Sequence, residues 1–205
     1  DNLFYSFVNL PGGKMSTRAG RVVYLDNMMD QIVEASLERL KKVDMSDSQK
    51  LLLSEKIGIG SLRYNVLKVQ PEKGFTFSID DALSIQGDSA PFAMYSHARM
   101  SSILRRYGAS IPDFKLESDL VESEIELIRT ISKWPKTVES AVDKLAIHII
   151  PNYVHQLSSK FNNFYRDCKV IGDVNEDLRL NLVNVSKRIL FDALDILGVE
   201  APEKM

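Results

Sequence analysis

The chain has almost no cysteine, since Cys168 is the only one among its 205 residues. A single cysteine cannot form an internal disulfide or a zinc site of several thiolates. The sequence therefore fits a reducing compartment, and we expect a cytoplasmic protein in which Cys168 is a packing residue. No apolar run approaches the roughly 20 residues of a membrane-spanning helix, and the sequence does not open with a signal peptide. We expect no membrane partner.

An excess of charge of either sign is also missing. The 26 lysines and arginines nearly balance the 28 aspartates and glutamates, which gives a formal net charge of −2. This balance excludes a histone-like polycation and an acidic disordered tail. It does not exclude a local basic face, because net charge says nothing about how the charges are distributed. A hydrophobic fraction of 44% is enough for an ordinary globular core.

Histidine is scarce too, and its three copies, His97, His148 and His155, have no metal-ligand spacing. We expect each to be a packing or surface residue, and we predict no metal site. Glu122, Glu124 and Glu126 are interpreted as a solvated acidic stretch rather than a catalytic acid and base.

Three short stretches in the first part of the chain predict strands. Residues 3–10 are apolar and aromatic and run into a Pro-Gly-Gly turn. Residues 22–25 are β-branched and aromatic, and residues 75–79 alternate between apolar and polar side chains. Together with helical segments between them, they predict a small α/β region.

Two helices are predicted between these strands. Asp26 is a plausible N-cap for an amphipathic helix that should end near Lys41 and Lys42. A second helix is expected over about residues 47–56, after which Gly58 and Gly60 indicate either a break or close packing.

From about residue 90 the sequence reads as helix throughout. The turn-forming residues 86–91 mark the best domain boundary, and Pro91 falls in the first turn of the helix that follows. Five amphipathic segments then succeed one another, which predicts an all-α bundle of about 115 residues. The fold class is therefore mainly α, with a small α/β segment before the bundle.

A glycine-rich loop, residues 11–18, is the first candidate binding site. Its backbone N–H groups and the side chains of Lys14, Ser16, Thr17 and Arg18 could surround phosphate oxygens. It lacks the first glycine and the final hydroxyl of a Walker A loop. A solvated basic hairpin tip is the alternative.

The second candidate is one face of the helix that begins near residue 90. Phe92, Tyr95, Arg99, Ser102 and Arg106 recur on that face at steps of three and four residues. Aromatic rings stack on unpaired bases while guanidinium groups meet phosphates, so this face suits single-stranded nucleic acid. The alternative is that the aromatic residues are core and the arginines are solvated; Phe92 in particular is expected in the core.

Four stretches resemble, in order, the arginyl type of class I aminoacyl-tRNA synthetase. Residues 14–26 (KMSTRAGRVVYLD) resemble the second signature loop of that class, in an archaeal-like version. Residues 90–99 (APFAMYSHAR) resemble the opening of the arginyl-tRNA synthetase anticodon-binding domain. Residues 161–165 and 198–205 resemble its closing helices and carboxyl terminus.

The resemblance implies the C-terminal part of an arginine–tRNA ligase. Residues 1–25 would end the catalytic domain, 26–88 would be a stem-contact segment, and 89–205 would be an all-α anticodon-binding domain. The expected partners are arginine tRNA and an N-terminal catalytic part of the same chain, in a monomer. ATP with magnesium would serve the full-length enzyme, whereas we expect no cofactor on these residues and no activity from them alone.

The resemblance also assigns site residues. Lys14, Met15 and Ser16 would contact ATP, and Lys14, Ser16 and Arg18 would be catalytic. Thr17 stands where most of the class has a second lysine, and Ala19 replaces a lysine common in relatives. The tRNA-binding residues would be Tyr95, Arg99, Arg106, Tyr165 and Met205.

Two other readings stay open at this point. The chain could be a non-catalytic helical module that binds a protein, or the same region of another class I synthetase such as the cysteinyl enzyme. The closing residues 200–205 favour arginine specificity, by resemblance alone.

Overall fold

The structure, a computed structural model, describes residues 4–9 and 24–205. The predicted phosphate loop, with Lys14, Met15, Ser16 and Arg18, lies outside the described residues. Most of the described chain is helical. Its elements are β1 Val8–Asn9, α1 Leu25–Leu40, α2 Asp47–Leu67, β2 Phe75–Thr76, α3 Ile79–Ala82, α4 Ala90–Tyr107, α5 Glu122–Ser132, α6 Trp134–Asp143, α7 Ile149–Asp167 and α8 Glu176–Ile196.

The strands are shorter than predicted. β1 pairs with β2 in parallel, Val8 opposite Phe75 and Asn9 opposite Thr76. Ile79 belongs to α3, and Leu25, the end of the strand predicted over residues 22–25, begins α1, whereas residues 22 and 23 lie outside the described residues. The predicted N-cap Asp26 is wrong as well, because Tyr24 occupies that position and Asp26 lies in the first turn. A short apolar run has no periodicity that separates a strand from the start of a helix.

Helix α2 passes through its two glycines without a break. It starts with a capping box, in which the Ser46 hydroxyl accepts from the Gln49 backbone N–H. A Cβ added at Gly58 would lie 3.0 Å from the Cα of Val33 on α1, and one at Gly60 would lie 2.6 Å from the Cε of Met94 on α4. The glycines therefore permit close packing, which was one of the two predicted outcomes.

The predicted bundle of five helices after residue 90 is confirmed as α4 to α8. Ser89 caps α4, with Pro91 in its first turn, and Gly108 ends that helix at a φ of 70°. Tyr64 of α2 joins the bundle to the first helices, because its buried hydroxyl lies 2.8 Å from Asp88 Oδ1 and 2.9 Å from the Pro151 carbonyl oxygen. Phe92 is only half-buried, beside the His155 ring, so its assignment to the core was wrong.

Glu124 is buried, which contradicts the prediction of a solvated acidic stretch. Its carboxylate lies 2.6 Å from the Arg179 Nε on α8, and it accepts from the backbone N–H of Val121. Arg179 also pairs with Asp173 at 2.9 Å and donates to the Lys169 carbonyl. In the sequence Glu124 lies between the exposed Glu122 and the half-buried Glu126, whereas its partner Arg179 lies far along the chain.

Among the described residues, none of the helices is long and apolar enough to cross a membrane.

Candidate nucleic-acid interface

Two tyrosines and an arginine form a stack between α4 and α7. The guanidinium carbon of Arg99 lies 4.7 Å from the ring centroid of Tyr95 and 4.9 Å from that of Tyr165. Both tyrosine residues remain open to solvent, at 44% and 43% exposure. Large aromatic side chains are usually covered in a folded domain, so rings held apart and left exposed are available to a ligand.

Side chains beneath the stack hold Arg99 through hydrogen bonds. Arg99 Nη1 donates to Asn162 Oδ1 at 2.6 Å, and Asn162 Nδ2 donates to the Ser96 hydroxyl at 2.9 Å. Ser96 in turn donates to the carbonyl of Phe92. Asn162 was not predicted as a site residue, although it lies three residues before Tyr165 and so on the same helical face.

The residues after α8 return across α4. Gly198 turns the chain with a φ of 64°, and its carbonyl accepts from Arg63. Further on, the Pro202 carbonyl oxygen lies 3.0 Å from His97 Nδ1, and Arg105 donates to the Glu203 carbonyl at 3.1 Å. These contacts define the tail, residues 198–205, and bring Met205 towards the stack.

His97 is the buried anchor of the tail. Its ring is fully buried and lies 6.2 Å from that of Phe191. Burial lowers the pKa of His97 below its ordinary 6.5, although the Pro202 carbonyl and Glu203 act in the opposite direction. The neutral ring donates from Nδ1 to the Pro202 carbonyl, so this histidine serves packing and tail position, as predicted for a histidine without metal spacing.

One cavity of about 900 Å³ lies at the junction of α4, α7 and the tail. All five residues predicted to bind tRNA line it, namely Tyr95, Arg99, Arg106, Tyr165 and Met205. The loop between α1 and α2 also reaches the cavity, with Val43, Asp44 and Met45, a contribution that was not predicted. That contribution depends on tertiary packing, and no local motif signals it.

The lining of the cavity is basic although the chain is not. Five cationic side chains and two acidic side chains line it: Arg99, Arg105, Arg106, Lys169 and Lys204 against Asp44 and Glu203. Exposed rings among cations are the surface that single-stranded nucleic acid requires, because bases stack while phosphates meet positive charge. The arrangement has the chemistry of a binding site for an unpaired, anionic, aromatic ligand.

Side chains that could bind a metal ion are not clustered in the described part of the chain. In residues 4–9 and 24–205, no three histidine, cysteine, aspartate or glutamate side chains come together as a metal site. Cys168 is buried, and burial raises the pKa of its thiol, while a hydrogen bond between the thiol and Ser123 acts in the opposite direction.

Known proteins resemble the chain in both sequence and structure. Residues 93–205 match the family described as the DALR anticodon binding domain. The arginine–tRNA ligase of Methanobrevibacter smithii is 41% identical over 99% of this chain and 36% of its own length. That of Halorubrum lacusprofundi is 35% identical over 100% of this chain and 39% of its own length. The chain thus spans little more than a third of these relatives.

Solved structures agree with this relationship. The arginyl-tRNA synthetase of Thermus thermophilus superposes with a TM-score of 0.83 at 27% identity, over 98% of this chain and 35% of that one. The enzyme of Plasmodium falciparum gives a TM-score of 0.76 at 26% identity, over 90% of this chain and 34% of that one. The resemblance seen in the sequence is confirmed: the chain belongs to the DALR anticodon-binding domain family, and the relatives it matches along its length are arginine–tRNA ligases.

Proposed function

We propose that this chain is the tRNA-recognition part of an arginine–tRNA ligase and that the cavity binds the anticodon of arginine tRNA. The observation that carries the proposal is the Tyr95–Arg99–Tyr165 stack, which opens into a cavity with a basic lining. The family relationship supports the same conclusion independently.

Binding would combine stacking with charge. An unpaired base would stack on an exposed tyrosine ring, at about 1–3 kcal/mol per base, while Arg106 and its basic neighbours meet the phosphates. Every arginine codon has G in the middle, so the shared feature of the anticodons is a middle C. Cytosine offers an N4 donor with N3 and O2 acceptors, which backbone groups of the tail near Met205 could read.

The rest of the chain would serve the whole ligase. Residues 89–205 would form the anticodon-binding domain, 26–88 the stem-contact segment, and 1–25 the end of the catalytic domain. The complete enzyme would be a monomer that uses ATP and magnesium to join arginine to tRNA, with Lys14, Met15 and Ser16 near ATP. Lys14, Ser16 and Arg18 would meet its phosphate charge. By itself this chain would bind tRNA without aminoacylating it.

The test is binding of an arginine anticodon stem-loop to Tyr95→Ala and Tyr165→Ala variants. Each should bind at least about tenfold more weakly, because one stacking surface is lost, while thermal unfolding stays near that of the parent. Tyr24→Ala is the matched control, since Tyr24 is also exposed but lies outside the cavity.

Two results would contradict the proposal. Unchanged affinity in both cavity variants would remove the cavity as the binding site. Equal affinity for an arginine stem-loop and for the same stem-loop with its middle C replaced would remove recognition of the middle base. A chain that binds no RNA but captures a protein would instead favour a helical interaction module.

A further inference from the structure

Asn162 lies directly beneath the stack, at the centre of a hydrogen-bonded row of side chains. It is partly buried on α7, one turn before Tyr165. It accepts from Arg99 at 2.6 Å and donates to Ser96 at 2.9 Å. The row therefore connects the stack to the backbone of α4.

The direction of each bond in this row is determined by the next. The buried Ser96 hydroxyl gives its proton to the Phe92 carbonyl, so it can only accept from Asn162. The amide of Asn162 must then turn its Nδ2 towards Ser96 and its Oδ1 towards Arg99. An arginine side chain has many rotamers and a cation–π contact is weakly directional, so this oxygen selects one orientation of the guanidinium.

The chemistry of the amide is also significant. A neutral oxygen orients the guanidinium but leaves its positive charge uncompensated. No carboxylate within residues 4–9 and 24–205 lies at ion-pair distance from Arg99. The charge is therefore kept for a ligand, in an orientation that is set before the ligand arrives.

We infer that Asn162 is a positioning residue for base recognition. It holds the Arg99 guanidinium between the two tyrosine rings and so keeps the stack in its binding geometry. The inference rests on the proposed function for its RNA readout and on the geometry alone for its RNA-free readout.

The first experiment compares Asn162→Ala with Asn163→Ala, its exposed neighbour on the same helix. The quantity measured is the ratio of dissociation constants for stem-loops with U or C in the middle of the anticodon. We expect Asn162→Ala to reduce this ratio about tenfold, the discrimination of one specific base contact, because a released Arg99 no longer keeps in place the rings that position the middle base against the tail. Asn163→Ala should leave the ratio unchanged.

Asn162→Asp is the conservative variant. It retains an oxygen that accepts from Arg99 but adds a negative charge, and it replaces the Nδ2 donor by an acceptor, so the Ser96 hydroxyl must turn its proton from the Phe92 carbonyl to the carboxylate. The base preference should therefore survive while overall affinity falls for both RNAs, an outcome that a purely structural residue would not produce. A preference lost in both Asn162 variants would overturn the inference. So would an unchanged ratio in Asn162→Ala, or a fall in melting temperature with equal losses for both RNAs.

The second experiment needs no RNA, so that failure of the proposed function remains distinguishable. In the ligand-free chain, ¹⁵N NMR of arginine side chains should show a restrained Arg99 guanidinium that becomes mobile in Asn162→Ala and stays restrained in Asn162→Asp and Asn163→Ala. If the parent shows no base preference, the proposed function fails. The mobility of the Arg99 guanidinium still tests whether Asn162 holds it in place. A guanidinium equally mobile in the parent and in Asn162→Ala would overturn the inference.

Discussion

Two arginines of the bundle lie in opposite surroundings. Arg179 is 7% exposed and is held by the carboxylates of Glu124 and Asp173 and by the Lys169 carbonyl. Arg99 is half-buried, between the rings of Tyr95 and Tyr165, with one amide oxygen as its hydrogen-bond acceptor.

The difference shows how the same side chain serves structure or binding. The charge of Arg179 is compensated by two carboxylates, and its contacts join α8 to α5 and to the loop before α8. Arg179 therefore stabilises the fold. Arg99 is oriented without being neutralised, beside a cavity that opens to solvent, so its charge remains available. The environment of an arginine thus separates a structural role from a binding role better than its position on a helix does.

The largest effect is expected from Glu124→Ala. Removing this carboxylate leaves Arg179 buried with part of its charge unpaired, which should lower the free energy of unfolding by about 3–5 kcal/mol. Urea denaturation measures it. Glu122→Ala is the control on the same helix, because Glu122 is exposed, and it should cost less than about 1 kcal/mol. Similar losses for the two variants would break the comparison.

Arg99→Lys should do the opposite, with little loss of stability and a clear loss of binding. Lysine keeps the charge but not the planar surface between the rings, so we expect about tenfold weaker stem-loop binding and less than about 1 kcal/mol of destabilisation. Arg188→Lys, at an exposed position of α8 away from the cavity, is the matched control. Destabilisation without weaker binding would make Arg99 a structural residue like Arg179.

A smaller effect is expected from pH, through His97. Its pKa is lowered by burial, so the unfolded chain takes up the proton first as the pH falls below about 6.5, its ordinary value. The stability that His97 contributes is present above that pH and is lost progressively below it. Two charges act on the ring: Glu203 on the tail raises the pKa of His97, and Lys187 on α8 lowers it.

The measurement is the free energy of unfolding of the parent and of His97→Gln between pH 5 and 8. The parent should lose more stability than the variant on acidification. Parallel curves would show that His97 is not buried in its neutral form, and the anchoring of the tail would need another explanation.

Local signals in the sequence predicted most of the helices and the exposed tyrosines and arginines of the cavity. Ser89 and Pro91 mark the start of α4, and the three- and four-residue steps place Tyr95 and Arg99 on one face. The bounds predicted for the two strands and for the start of α1 were wrong, because a few apolar residues have no clear period.

Long-range partners account for the other misses. Glu124 is paired with a residue 55 positions away, and Asn162 meets Ser96 across 66 positions. Neither pairing leaves a mark on the local pattern. The position of the tail, which brings Met205 to the cavity, likewise depends on His97, 105 positions before Pro202.

The measurement that tests the central claim most directly is the affinity of the unmodified chain for an arginine anticodon stem-loop and for the same stem-loop with its middle C replaced by U, at one fixed salt concentration. Binding should weaken at least about tenfold when the middle C is replaced, as for the loss of one specific base contact. Equal dissociation constants for the two RNAs would contradict anticodon recognition by the cavity.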